Sequence, residues 1–236
     1  MMKIEVLFPE YCNLFADSSN MKYLKQCLPE AEFIYTDYMS EPAFASESVD
    51  LIYMGAMTER VQAMVIKKIM PYRERIVELI KKDTPFLITS NALEIFGRWI
   101  ENEDGTKVKA LGIFDFYAKR NMMNRFNGLV RGHFGDIPIL GFKTQFSMAY
   151  SDHFKYSFIQ VDKGAGMNPS VEVEGIHVHQ FYGTYLVGPF LVLNPLFTKH
   201  LMKVMGVENP KLAFEPVIME AYERRMKEFM DPKVKF

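Results

Sequence analysis

The sequence predicts an α/β fold with a mainly parallel central sheet, and two observations support this prediction. Up to Thr89, short apolar runs that suit strands alternate with helical segments, which is the pattern of a parallel sheet covered by helices. Beyond Gly97 the pattern changes to strand-like runs separated by turns, which we expect to extend the sheet with antiparallel strands. No linker divides the chain, so we expect a single domain over residues 1–236.

The first half of the chain supplies four predicted strands and three predicted helices. The strands are apolar runs rich in β-branched and aromatic residues, at 3–8, 32–35, 50–54 and 85–89. The helices are predicted at 21–27, 59–70 and 71–82. Thr58 suits an N-cap for the second helix, and Pro71 suits the first turn of the third.

The second half is predicted to be mostly antiparallel. Asp104 and Gly105 form a turn signal between residues 98–101 and 107–110, which predicts a small hairpin. Further strands are predicted at 113–117, 125–131, 137–142, 156–161 and 176–186. Two helices, at 195–205 and 216–230, close the chain.

The functional question depends on residues 85–99. A buried strand up to Thr89 is followed by Ser90 and Asn91, which suit a sharp turn and a helix N-cap, and then by a helix that Gly97 ends. A strand, a tight turn and a helix form the unit that holds a nucleophile at the carboxyl edge of an α/β sheet. Ser90 is therefore a candidate nucleophile, and a simple N-cap is the alternative that we favour.

Composition and charge exclude several functional classes. The net charge is −1 and 49% of the residues are apolar, so neither nucleic acid nor a membrane is expected as a partner. Cys12 and Cys27 have no metal-binding or disulfide spacing, which favours a reducing cytoplasm. His177 and His179 could form a metal pair, but no third ligand is visible. We therefore predict no metal and no cofactor.

Four motifs, in matching order and spacing, carry a resemblance to a known family. They are Asp104-Gly-Thr106, Leu111-Gly-Ile-Phe-Asp-Phe-Tyr117, Glu174-Gly-Ile-His177 and Gly183-Thr-Tyr-Leu-Val-Gly-Pro189. The chain resembles the cobyric acid synthase-type (CobB/CobQ-like) class I glutamine amidotransferase domains. Within these it is most similar to the glutaminase subunits of lipid II isoglutaminyl synthases. The resemblance implies a three-layer flavodoxin-like fold and a larger Mur-ligase-like partner that uses ammonia released from glutamine.

The resemblance also assigns functional positions. It places Ser90 where the family has its nucleophilic cysteine, and Val187 where the family has the histidine that acts as general base. The oxyanion loop corresponds to Gly55, Ala56 and Met57, and the ligand pocket extends to Asn91 and to residues 141–147. The motifs of the scaffold are therefore kept, while the residues that perform the chemistry are replaced.

These replacements predict a loss of catalysis. A serine hydroxyl is harder to ionise than a thiol, and valine cannot accept a proton. On an unbroken strand, His177 and His179 would lie roughly 33 and 26 Å from Val187, too far away to substitute. We therefore expect a catalytically degenerate subunit that binds a Mur-ligase-like partner or assembles as a homo-oligomer.

Two alternatives remain open at this stage. One is an active glutamine amidotransferase or hydrolase with a rearranged site that uses Ser90 or Cys12. The other is a sensor that binds a small molecule in the vestigial pocket beside Ser90.

Overall fold

The computed structural model describes residues 1–236 as fourteen strands, six α-helices and four short 3-10 helices. The strands, in chain order, are β1 Lys3–Leu7, β2 Glu32–Thr36, β3 Leu51–Met54, β4 Phe86–Thr89, β5 Trp99–Glu101, β6 Lys107–Lys109, β7 Tyr117–Arg120, β8 Phe126–Phe134, β9 Ile137–Gln145, β10 Ser147–Tyr150, β11 Ile159–Lys163, β12 Val173–Glu174, β13 Ile176–Val178 and β14 Phe181–Thr184. The α-helices are α1 Ser18–Cys27, α2 Glu59–Ile69, α3 Arg73–Lys81, α4 Phe190–Leu193, α5 Pro195–Val204 and α6 Glu215–Met230. The 3-10 helices are Leu14–Ala16, Ala43–Ala45, Met70–Tyr72 and Ser90–Phe96.

The central sheet has six strands in the order β13-β14-β4-β3-β1-β2. All neighbouring strands pair in parallel except β13, which is antiparallel to β14 at one edge. The five parallel strands thus follow the order of flavodoxin-like sheets, in which ligands bind beyond the carboxyl ends of the strands. This order confirms the α/β prediction.

The central strands β3 and β4 are buried on both faces, which explains why they are continuous apolar runs. Ile52 and Met54 of β3 belong to a core that also contains the apolar side chains of α2 and α3. Leu51 and Tyr53 belong to the core on the opposite face, with α1 and α5. Since consecutive strand residues point to opposite faces, one strand serves both cores, and the predicted three-layer arrangement is confirmed.

The antiparallel strands differ from the prediction, because most of them do not extend the central sheet. They form two separate four-stranded sheets, ordered β10-β7-β5-β6 and β12-β11-β8-β9. Only β13 joins the central sheet. The predicted hairpin of β5 and β6 is confirmed, whereas residues 113–116 form a loop and the strand there begins at Tyr117.

The predicted strand over residues 176–186 is also wrong. His179 has a positive φ of 55°, and the chain reverses there into a tight hairpin in which His177 pairs with Tyr182. The strand then ends at Thr184, before Val187. Distances based on an unbroken strand therefore do not apply to His177 and His179.

The helix boundaries follow the sequence signals closely. The Thr58 side chain accepts a hydrogen bond from the Val61 amide and caps α2 as predicted. The helix predicted to start at Pro71 instead opens with a 3-10 turn, and α3 begins at Arg73. None of the helices combines the length and the apolar character needed to cross a bilayer.

Candidate functional site

Ser90 lies directly after β4, at the carboxyl edge of the central sheet, and has a positive φ of 57°. The chain turns there into the 3-10 helix Ser90–Phe96, not into the predicted α-helix, and Gly97 ends this segment as expected. Neither Ser90 nor Asn91 caps the helix: the N-cap position is Thr89, without a side-chain hydrogen bond. A left-handed backbone at a non-glycine residue costs free energy and is typical of functional turns.

The left-handed backbone at Ser90 leads to a stability prediction. We expect Ser90→Gly to be more stable than Ser90→Ala by about 1 kcal/mol, because only glycine adopts positive φ without a steric cost. Equilibrium urea unfolding of the two variants measures this difference.

The control is the same pair of substitutions at Ser46, an exposed residue with φ −124°. There the alanine variant is expected to be the more stable, by about 0.4–1 kcal/mol. Equal stability of the two Ser90 variants would show that the turn is not strained.

Ser90 opens onto a small polar cavity of about 130 Å³. Its hydroxyl has no hydrogen-bond partner among the side chains of the protein. The cavity is lined by Leu14, Phe15, Met57, Thr58, Glu59, Ser90, Asn91, Arg125, Thr144, Gln145, Phe146 and Ser147. Val187 is absent from this lining, whereas Asn91 and residues 144–147 lie in it.

The backbone amides of the loop after β3 are already hydrogen-bonded within the protein. The Ala56 amide donates to Asp17 Oδ2. The Met57 amide donates to Asn91 Oδ1 at 3.1 Å, and Asn91 Nδ2 donates back to the Met57 carbonyl at 2.7 Å. Because an oxyanion hole needs amides free to meet developing charge, this loop is closed at the two positions where the resemblance places oxyanion donors.

Asp17, which sequence reasoning missed, holds this loop. Its buried carboxylate also accepts hydrogen bonds from Thr89 Oγ1 at 3.0 Å and from Asn20 Nδ2 at 3.2 Å. Burial raises the pKa of Asp17 to about 6, and its hydrogen bonds, including one from the Gly188 amide, oppose this shift. The only sequence signal for Asp17 was its place in the loop after β1.

Close packing around Asp17 explains two glycines of the site. A Cβ atom at Gly55 would lie 2.7 Å from the Cys12 carbonyl oxygen. A Cβ atom at Gly188 would lie 2.7 Å from Asp17 Oδ1. Gly55 is therefore required by its neighbours, whether or not the loop ever binds an anion.

No imidazole contacts the Ser90 hydroxyl. Val187 is buried, and its amide donates to the Phe142 carbonyl at 3.0 Å. The five histidines all lie outside the cavity lining: His133, His153, His177, His179 and His200. Burial lowers the pKa of both His177 and His200, which pack against Tyr182 in the aromatic core.

Glu94 is a second buried carboxylate that the sequence did not reveal. It accepts hydrogen bonds from Tyr185 Oη at 3.0 Å, from Gln62 Nε2 at 2.9 Å and from Ser147 Oγ. Burial raises the pKa of Glu94, and these three donors partly offset the effect. The network fixes the 3-10 segment after Ser90 against α2 and the wall of the cavity.

Hydrogen bonds to the buried Glu174 carboxylate join two of the motifs that carry the resemblance. Glu174 accepts hydrogen bonds from Thr184 Oγ1 and from the Tyr185 amide, both at 2.7 Å. Lys143 Nζ lies 3.4 Å from Glu174 Oε1, and neither side chain is exposed. The hydrogen bonds of Glu174 therefore fix the chain that leads to Val187, and Lys143 neutralises the buried carboxylate.

Cys12 does not have the properties of a nucleophile. Its side chain is buried in the core, and burial raises the pKa of the thiol, which leaves it protonated near neutral pH.

No group of three or more histidine, cysteine, aspartate or glutamate side chains converges in a metal-binding arrangement.

Solved structures share the fold of this chain. The structure is similar to that of PurLQS from Thermotoga maritima, with a TM-score of 0.57 and 10% identity over 95% of this chain and 99% of that one. It is also similar to a glutamine amidotransferase of T. maritima, with a TM-score of 0.52 and 12% identity over 96% and 92% of the two chains. The fold is therefore that of class I glutamine amidotransferases.

The sequence comparisons give the family. Residues 3–195 match the CobB/CobQ-like glutamine amidotransferase domain, and the chain belongs to this family. It is 27% identical over 209 residues to the lipid II isoglutaminyl synthase (glutamine-hydrolyzing) subunit GatD of Staphylococcus aureus, covering 86% of this chain and 84% of the relative. The GatD subunit of Streptococcus pneumoniae is 23% identical over 228 residues, covering 93% and 88%. The resemblance read from the sequence is thus confirmed.

Proposed function

We propose that this protein is a catalytically degenerate glutamine amidotransferase-like subunit that acts in cell-wall metabolism through a Mur-ligase-like partner. One observation carries the proposal: the Ser90 cavity lacks an imidazole, and the loop that would stabilise an oxyanion has its Ala56 and Met57 amides already bonded. Ser90 then occupies the nucleophile position and Val187 the base position of an inactive site. Residues 1–236 act as a single domain in this proposal.

Local chemistry explains why the site does not hydrolyse glutamine. A serine attacks an amide only when a base accepts its proton, and a tetrahedral intermediate needs donors for its oxyanion. Removal of a nucleophile or a base costs several orders of magnitude in rate, and both are replaced here. The hydrogen bonds of Asn91 stabilise the closed conformation of the loop and oppose its opening to substrate.

The partner is inferred from the relatives. Both GatD proteins are named as subunits of a lipid II isoglutaminyl synthase, so each acts as part of a larger enzyme. The present chain matches more than four-fifths of each, which supports a retained binding surface. Assembly as a homo-oligomer is the competing proposal, and the free thiols Cys12 and Cys27 fit a cytoplasmic setting for either.

Co-purification tests the partner. The tagged protein, expressed at its native level, is expected to retain a ligase-like protein in equimolar amount through size-exclusion chromatography with light scattering. Elution as a monomer alone would contradict the partner proposal, and elution as a dimer of this chain would replace it with self-assembly.

One observation favours an active enzyme as the second candidate. Glu59 is the one carboxylate in the cavity lining, and the Ser90 hydroxyl has no partner that would block attack on a substrate. An ionised carboxylate within hydrogen-bonding reach of a serine hydroxyl can serve as its general base. In this alternative, Ser90 is the nucleophile and Glu59 the general base of glutamine hydrolysis. The buried Cys12 takes no part in the reaction.

The vestigial cavity also suits a small ligand. It carries amide, hydroxyl and guanidinium groups and its volume of about 130 Å³ is sufficient for a molecule of the size of an amino acid. A sensing role is compatible with the degenerate subunit, since binding there does not require chemistry.

A further inference from the structure

A second cavity, which we call the cationic cleft, adjoins the Ser90 cavity but lies mostly outside it. Its volume is about 470 Å³, and it lies where the loop between β7 and β8 packs against β10. Lys119, Arg120 and Arg125 contribute three positive charges to its walls, and no aspartate or glutamate is among its lining residues. Asn121, Asn124 and Tyr150 add further hydrogen-bonding groups.

The charge of Arg120 is not paired with a carboxylate. Its guanidinium donates to Asn102 Oδ1 at 2.8 Å and to Gln62 Oε1 at 2.6 Å, which are both neutral acceptors. Its Nε atom is buried and has no acceptor at all. An unsatisfied buried donor on a charged group is costly unless an acceptor comes from outside the chain.

The guanidinium group of Arg125 also has no carboxylate partner. Its guanidinium lies 4.4 Å from the ring centroid of Phe146, a stacking geometry that holds it at the mouth of the cleft. It has no ion pair with a carboxylate. Lys119 forms one ion pair, with Glu101 Oε1 at 3.5 Å, and its own side chain is about half exposed. Like charges gathered in one concave site raise the local potential and favour the entry of an anion.

The wall shared by the two cavities contains a further unsatisfied group. Gln145 is 5% exposed, and its Nε2 atom donates to the Ser147 carbonyl at 2.6 Å, while its Oε1 atom has no donor. The opposite orientation of the amide would place the Gln145 oxygen against the Ser147 carbonyl oxygen, a repulsive contact. A ligand that supplies a hydroxyl or amino donor here would satisfy Oε1.

We propose that the cationic cleft binds a small molecule with at least two negative charges, as phosphate or carboxylate groups, and a hydroxyl or amino group. The guanidinium groups of Arg120 and Arg125 and the Lys119 ammonium hold the anionic groups. Arg120 also links the cleft to the segment after Ser90, because Gln62 donates to the Asn91 carbonyl at 2.6 Å as well as accepting from Arg120. A ligand in the cleft can therefore affect the position of Asn91 in the Ser90 cavity through Arg120 and Gln62. This link does not depend on whether the cavity is catalytic.

Calorimetric titration with inorganic pyrophosphate and, separately, with citrate tests the proposal. We expect the full-length protein to bind at least one of them with a Kd below about 1 mM at low salt, and more weakly as salt is added. Binding of pyrophosphate alone assigns a phosphate ligand, and binding of citrate alone assigns a carboxylate ligand. If neither pyrophosphate nor citrate binds, the proposal is overturned.

Matched variants locate the binding. Lys119→Gln and Arg125→Gln each remove one exposed cation from the cleft and are expected to weaken binding about tenfold. Lys109→Gln, on β6 at the opposite edge of the sheet that contains β7 and β10, removes the same charge outside the cleft and is expected to leave the Kd within about twofold. Thermal unfolding verifies that all three variants fold. Equal Kd values for the three variants would place the anion elsewhere and contradict the cleft.

Discussion

Ammonia release from glutamine by the purified protein is expected to equal that of its Ser90→Ala variant, at the level of the uncatalysed background. Replacement of nucleophile and base lowers glutaminase activity by about 10⁴–10⁶-fold, which is beyond recovery by substrate binding. The structure adds a second reason, since the amides of Ala56 and Met57 are engaged by Asp17 and Asn91. A coupled glutamate dehydrogenase assay, run for the protein alone and with its co-purified partner, measures the release.

The control for this assay is a catalytically competent glutaminase of the same family at equal concentration. Ser90→Cys is also expected to remain at background, because no imidazole contacts position 90 to accept the thiol proton. Activity that disappears in Ser90→Ala would establish a serine-based hydrolase. A further loss in Glu59→Gln, with a changed pH profile, would then identify the base.

Lys143→Met is expected to lower the free energy of unfolding by about 3–5 kcal/mol, since it leaves the Glu174 carboxylate buried without its counter-ion. Lys143 and Glu174 are both fully buried, with 3.4 Å between Nζ and Oε1. The cost is large because the low-dielectric interior penalises an isolated charge far more than it rewards a pair. Equilibrium urea unfolding at neutral pH measures the change.

Two controls distinguish the buried pair from a general effect of losing lysine. Lys82→Met removes an exposed partner of Glu78 and is expected to leave the free energy of unfolding almost unchanged, because solvent screens an exposed ion pair. The double variant Lys143→Met, Glu174→Gln is expected to recover most of the loss, because the glutamine oxygen still accepts from Thr184 and Tyr185 while no net charge is buried. A double variant no more stable than Lys143→Met would show that packing, and not charge, sets the cost.

Much of the fold was predictable because local patterns and global architecture agree in the first half of the chain. The strands up to Thr89 are mostly apolar runs that alternate with helical segments, a pattern typical of a parallel sheet covered by helices. The second half was less predictable. Short strands such as β7 and β10 carry little periodicity, and their pairing into separate sheets depends on contacts distant in sequence.

The sequence by itself determined the family and the strand–turn–helix unit at Ser90. It also determined that position 90 is not a cysteine and that position 187 is not a histidine. These results depend only on residue identity and on the order of the motifs, which the sequence gives without any tertiary contact. Only the tertiary structure decided that Asp17, Asn91 and Glu94 close and support the cavity, and that three cations line a neighbouring cleft whose lining contains no carboxylate. The physical reason is that hydrogen bonds, burial and the pKa values they shift depend on atoms brought together from distant segments, and no local pattern encodes that proximity.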